Sequence, residues 1–227
     1  MRTPTSVLHQ TSRVAAAFAL CAGLLATASP AGAATAKPSD AEVRASLSRV
    51  SDGTWSETDI ALLKQVPEVG RLVPDPRDPG TLTAMPAHQI TPSATVRSDF
   101  GTQAINCWSQ LSYVEKKDIF GSRIYRFNVE TDWCYDTVSY NLVRVDRAVG
   151  YISHATWGIY HRGWQVDSFG VRSIPKSGWH DKRANVEYCV GGNVGCYTTT
   201  YPYIDIELGS TAGSYPWSWK VAASSAG

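Results

Sequence analysis

Between residues 124 and 134 the chain alternates without a break. Ile124, Arg126, Asn128, Glu130 and Asp132 fall in one phase, and Tyr125, Phe127, Val129, Thr131 and Trp133 in the other. Successive side chains of a strand point to opposite faces, so this pattern demands a strand with one buried face and is incompatible with a helix. Shorter runs of the same kind recur to the C-terminus. Residues 138–140 run on into 143–145 with a one-residue slip of phase, which a bulge explains. Trp157 and Ile159 lead into a turn at Arg162-Gly163, Trp164 and Val166 leave it, and Phe169 and Val171 open another run. A loop is expected over 175–181. Residues 185–190 and 196–200 then flank a glycine-rich tip, and Ile204, Ile206 and Leu208 alternate with Tyr203, Asp205 and Glu207. About eight strands at this spacing predict an all-β fold, an antiparallel β-sandwich with a barrel as the alternative. Tyr125, Phe127, Trp133, Trp157 and Trp164 are assigned to its core.

The N-terminus reads as a secretory signal over 1–33. Arg2 and Arg13 precede and open an apolar run over 14–28, and Ala31-Gly32-Ala33 supplies small residues for cleavage. The run is shorter than the roughly 20 residues that span a bilayer. No later segment is long and apolar enough, so a secreted protein with no integral membrane segment after cleavage is expected. Cys21 leaves with the signal, and Cys107, Cys134, Cys189 and Cys196 remain for an oxidising compartment. Of the three connectivities open to four cysteines, Cys107–Cys134 and Cys189–Cys196 are favoured, because 190–195 makes a hairpin tip between the second pair. Neither a Cys-x-x-Cys nor a Cys/His pair at ligand spacing occurs, so no metal site is expected, and no cofactor is called for.

Cleavage removes two of the chain's 21 basic residues and none of its 20 acidic ones, leaving a formal charge of −1. Nucleic acid, which needs a basic face, is excluded as a partner on this balance. Neutral partners, a glycan or an extracellular protein, fit better.

Residues 34–66 form a short helical segment. Ser39 and Glu42 make a capping box ahead of Val43, Leu47 and Val50, and Ser56 with Asp59 opens a second helix carrying Ile60, Leu63 and Val66. Six of the 12 prolines follow, from Pro67 to Pro92, so 67–100 is expected to be an extended, semi-rigid linker. Residues 101–227 form the disulfide-stapled β domain. The segment ahead of it is either a propeptide or a retained arm.

Seven of the eight tryptophans and all eleven tyrosines lie in that last domain, more rings than its core can absorb. No nucleophile frame surrounds a serine near His154, His161 or His180, with the last two expected in turns, and no catalytic residue is assigned. Glu130 with Asp132, and Asp205 with Glu207, stand at i, i+2 on one strand face, about 7 Å apart, a spacing as ordinary on a solvated strand as in a hydrolase. Trp179, Tyr201, Tyr203, Trp217 and Trp219 fall in loops or on the polar phase, where rigid amphipathic rings make binding contacts. With Asp205 and Glu207 as polar orienters, these residues point to a non-catalytic module that binds glycan or a cell-surface polymer. A protein-interaction subunit, an inhibitor or adaptor engaging its partner through the helical and proline-rich arm, is the second reading, and a hydrolase the third.

Overall fold

The structure, a computed structural model, describes residues 37–91, 105–139, 141–172, 177–191 and 195–209, together with the backbone of 218–224. Three helices come first: α1 (Asp40–Ser51), α2 (Glu57–Lys64) and the single turn α3 (Pro67–Gly70). The strands β1 (Thr81–Ala84), β2 (His88–Ile90), β3 (Ile105–Lys117), β4 (Arg123–Asp136) and β5 (Leu142–Ser153) make one antiparallel sheet. A second holds β6 (Ile159–Arg172), β7 (Ser177–Val190), β8 (Gly195–Thr200), β9 (Tyr203–Gly209) and β10 (Ser218–Ser224).

In the first sheet β1 and β2 lie one after the other along the edge of β3, which pairs with β4 and through it with β5. In the second, β8 and β9 lie one after the other along β7, with β6 on its other side and β10 beyond β9. The two sheets face each other as a sandwich, and among the described residues no barrel closes. The alternation of β4 does what its sequence requires: Tyr125, Phe127, Val129, Thr131 and Trp133 are all buried, and they meet Ala184, Val186, Tyr188, Ile204, Ile206 and Leu208 of the opposite sheet. Both disulfides join residues directly opposite in a ladder, Cys107 with Cys134 and Cys189 with Cys196. By loop-closure entropy the first, spanning 27 residues, contributes about 3–4 kcal/mol and the second, spanning 7, about 2 kcal/mol.

Several local expectations are corrected. Arg162-Gly163 is no turn: β6 runs through it, shifting register between His161 and Trp164, with Gly163 at φ +119°. That backbone conformation favours glycine and lets one strand bulge and continue. Residues 137–139 form a turn that leaves Val138 81% exposed, while the slip expected near 143–145 is present as register shifts of β5 against β4 that skip Val143 and Asp146. The loop placed over 175–181 is cut short because β7 starts at Ser177. Trp157 is 72% exposed rather than core, since the strand assigned to it begins two residues later at Ile159.

The stretch 67–100, read as a linker, contributes α3 and both short strands on the β3 edge within its described part. Each strand fits between prolines, β1 after Pro79 and β2 after Pro86, and an edge strand tolerates flanking residues that lack an N–H. The helices carry the caps their sequence calls for, with reciprocal Ser39/Glu42 and Ser56/Asp59 boxes. Asp59 locks the pair together. Its Oδ1 accepts from the Ser46 hydroxyl and from the Arg49 guanidinium, its Oδ2 from Ser56, and these bonds hold its carboxyl well below the usual range. Val43, Leu47, Val50, Ile60, Leu63, Val66, Val69, Leu72 and Val73 form a second core with Ile119 and Val190 of the β structure. The Tyr197 hydroxyl donates to the Leu72 carbonyl at 2.9 Å.

Helices this short are marginal alone, so the two cores are expected to melt together. Leu63→Ala, at a fully buried position, lowers stability by about 2–4 kcal/mol in a single denaturation transition. A separate early transition for the helical end would contradict this coupling.

Candidate ligand-binding face

β7 builds two surfaces at once. Gly178, His180, Lys182, Ala184, Val186, Tyr188 and Val190 are buried against the first sheet, while Trp179, Asp181, Arg183, Asn185 and Glu187 stand half-buried on the other side. β9 repeats this, with Ile204, Ile206 and Leu208 inward and Tyr203, Asp205 and Glu207 outward. The register sets Trp179 opposite Glu207, Asp181 opposite Asp205, and Arg183 opposite Tyr203. On the other flank Gly170 of β6 stands opposite Trp179, and Arg172 opposite Ser177.

Trp179, Tyr203, Asp205 and Glu207 therefore share one outer face, joined by Asp181, Arg183 and Arg172. The Arg172 guanidinium stands 5.6 Å from the Trp179 ring centre and 3.8 Å from a Glu207 oxygen. That of Arg183 stands 5.4 Å from the Tyr203 ring centre. The indole lies across Gly170, where a Cβ would come within 2.7 Å of it, so the absence of a side chain there seats the ring. Four residues of strand rise separate the Trp179 and Tyr203 positions, about 13 Å, and a row of carboxylates lies between them. Such a face can stack apolar ring faces at two points and bond hydroxyls between them.

Asp181 and Asp205 are the unusual pair. They are directly opposite across the ladder, and each keeps its Oδ1 out of solvent without a hydrogen-bond partner. Two carboxylates are acceptors only, so a bond between them requires a proton. Burial, the hydrogen bond and charge of Asp181, and the charge of Glu207 push Asp205 up to about 7, against the pull of Arg183. Lys220 holds the register position opposite Glu207 on β10.

The other sequence-derived residues are placed less closely. Tyr201 sits in the connection between β8 and β9 and is 37% exposed. Trp217 lies outside the described residues, and Trp219 is described by its backbone, opposite Leu208. Asp181, Arg183, Arg172 and Gly170 were missed. The signal for the first two was present, since Trp179, Asp181 and Arg183 share one phase, but it becomes legible only once 177–184 is a strand.

The histidines do not gather. His180 is in the core and not in a turn, its Nδ1 2.8 Å from the Thr131 hydroxyl, and burial lowers it to about 4. His154 is exposed beside Ser153, and His161 lies on β6 with its ring 4.4 Å from that of Trp164. No histidine bonds a carboxylate among the described residues. Glu130 pairs with Arg147 at 3.0 Å on the outer face of the other sheet. Groups of three side chains able to hold a metal occur, among the described residues, only around the disulfide cysteines, whose oxidised sulfurs are not thiolates.

The Asp181–Asp205 pair makes the second sheet sensitive to pH. Asp205 binds its proton more tightly folded than unfolded, where an aspartate titrates near about 3.9. Stability therefore falls as pH rises from about 4 to about 7, the value Asp205 reaches in the fold, and the full cost is present above that value. Asp205→Asn should raise the melting temperature at pH 8 and change it little at pH 5. An equal effect at both values would show that the carboxyl pair does not share a proton.

No family model matches the chain, and no curated protein or solved structure is significantly similar to it, so its function has to be argued from these side chains.

Proposed function

We propose that the protein is a secreted, non-catalytic binding module whose second sheet holds a glycan or another hydroxyl-rich cell-surface polymer across its outer face. One observation carries the reading. Trp179 and Tyr203 are set about 13 Å apart along the strands on a single face, with Asp181 and Asp205 between them, Glu207 opposite Trp179 and an arginine beside each ring. Rings of this kind pack against the C–H faces of sugars, and carboxylates and guanidinium groups bond their hydroxyls. The spacing suits an extended chain rather than one small molecule. Export is part of the same reading, supported by the leader-like sequence over 1–33 and by two disulfides, which persist in oxidising compartments.

The reading of the helical segment as a free arm for a protein partner draws less support. Its apolar residues are spent on the second core with Ile119 and Val190.

Retention on insoluble polysaccharides and cell-wall preparations tests the proposal. Trp179→Ala and Tyr203→Ala should each weaken retention about tenfold, the scale of a binding hot spot, with the melting temperature nearly unchanged. Full retention by the folded double variant would rule the face out. Intact mass of protein recovered from culture medium would place the processing site.

A further inference from the structure

We propose that the chain carries a second, independent site: a cleft at the helical end of the sandwich that takes a small hydroxylated monocarboxylate. The cleft encloses about 580 Å³, within the range of small-molecule pockets. Three stretches remote in sequence wall it: the α1–α2 connection with Trp55, the proline arm 74–79, and Thr198, Thr199 and Thr200 of β8.

Lys116 supplies the charge. It lines the cleft yet is only 4% exposed, and its Nζ donates to the carbonyl of Asp78 rather than to a carboxylate. An ammonium has three hydrogens to donate, and a buried cation without an anion in contact is costly. Burial lowers Lys116, while the charges of Asp78 and Asp75 favour the cation from a distance, and both acids are engaged elsewhere. Asp78 accepts from the backbone N–H groups of Gly80 and Lys117, and Asp75 is held by Arg77. Arg77 is itself shared between Asp75 and Glu57. One positive charge is thus left for an incoming acceptor.

The same acids limit what that acceptor can be. Asp52 and Asp78 also line the cleft, so a phosphate dianion would meet repulsion where a single carboxylate matches the one ammonium. The half-buried Thr198, which shares the inward phase of Tyr188, and the half-buried indole of Trp55 suit a ligand body that is itself hydroxylated, such as a sugar acid. The proline wall is stitched to the end of β3 by the Pro74–Asp118 bridge and by the Asp75 N–H donating to the Lys117 carbonyl at 2.9 Å. A wall fixed before binding lowers the ordering cost.

The test is calorimetric titration of the full chain with sodium D-glucuronate, D-glucose and inorganic phosphate as separate probes. Glucuronate should bind, with glucose and phosphate at least about tenfold weaker, the scale of a charge-assisted hydrogen bond. Lys116→Met should lose at least as much affinity for glucuronate, and Thr198→Val, at a half-buried position, should weaken it with the fold intact. The Trp179→Ala/Tyr203→Ala variant should bind glucuronate as the unaltered chain does, which separates this cleft from the outer face. Absence of glucuronate binding at millimolar concentration, equal binding of glucose, or unchanged affinity in the folded Lys116→Met variant would overturn the proposal.

Discussion

The period-two alternation of β7 is the constraint on which the rest of the molecule rests. This strand bonds to β6 along one side and to β8 and then β9 along the other. Its inward residues close the sandwich over Tyr125, Phe127 and Trp133, and its outward residues supply the middle of the candidate face. A slip of one residue would exchange the two sets, placing Asp181 and Arg183 in the core and Ala184 and Val186 in water. The directly opposed pair Cys189–Cys196 fixes that register at one end. Core and face are therefore one decision, and neither can be changed in phase without the other.

How much of this the sequence discloses depends on how local each signal is. The β4 pattern, the two capping boxes and the disulfide pairing were all legible, because each is set within one element or one hairpin-like neighbourhood. The continuity of β6 through Gly163 was not. Glycine beside a charged residue reads as a turn, and only the pairing of β6 with β7 shows that the backbone bulges and continues. Trp179 and His180 were hidden by the same effect, since Pro175 and Gly178 argue for a loop while the ladder makes a strand. The Asp181–Asp205 pair had no local signature at all. It follows from a register between residues 24 apart, whereas the i, i+2 pairs that alternation does reveal are ordinary surface carboxylates.

The proline-rich stretch conceals its strands for a different reason. Proline restricts φ and removes a donor, which argues against regular structure where it stands but not between its occurrences. β1 and β2 occupy those intervals along an edge that needs few donors. The helices ahead of them have too little surface to be stable alone, so their apolar faces had to find a partner. They found it in Ile119 and Val190, at one end of the sandwich.

Both proposed sites carry buried charged groups, although unpartnered polar atoms, Asp132 Oδ1 among them, occur elsewhere in the described interior. The Ser112 hydroxyl is also buried without a partner, but a neutral hydroxyl in that state costs only about 1–3 kcal/mol. Many natural cores tolerate one. Charged groups are different, because desolvation of an ion costs more and is usually answered by a counterion or a shift in protonation. Asp205 takes the second course beside Asp181, and burial likewise lowers Lys116, whose Nζ meets only a carbonyl. Lys182 shows the ordinary solution in the same fold: equally buried, it meets Asp167 at 2.5 Å and lies over the Trp164 ring. Local rules are broken in proteins chiefly where function compensates for the breach. The outer face and the proline-walled cleft each hold such a breach within reach of a ligand.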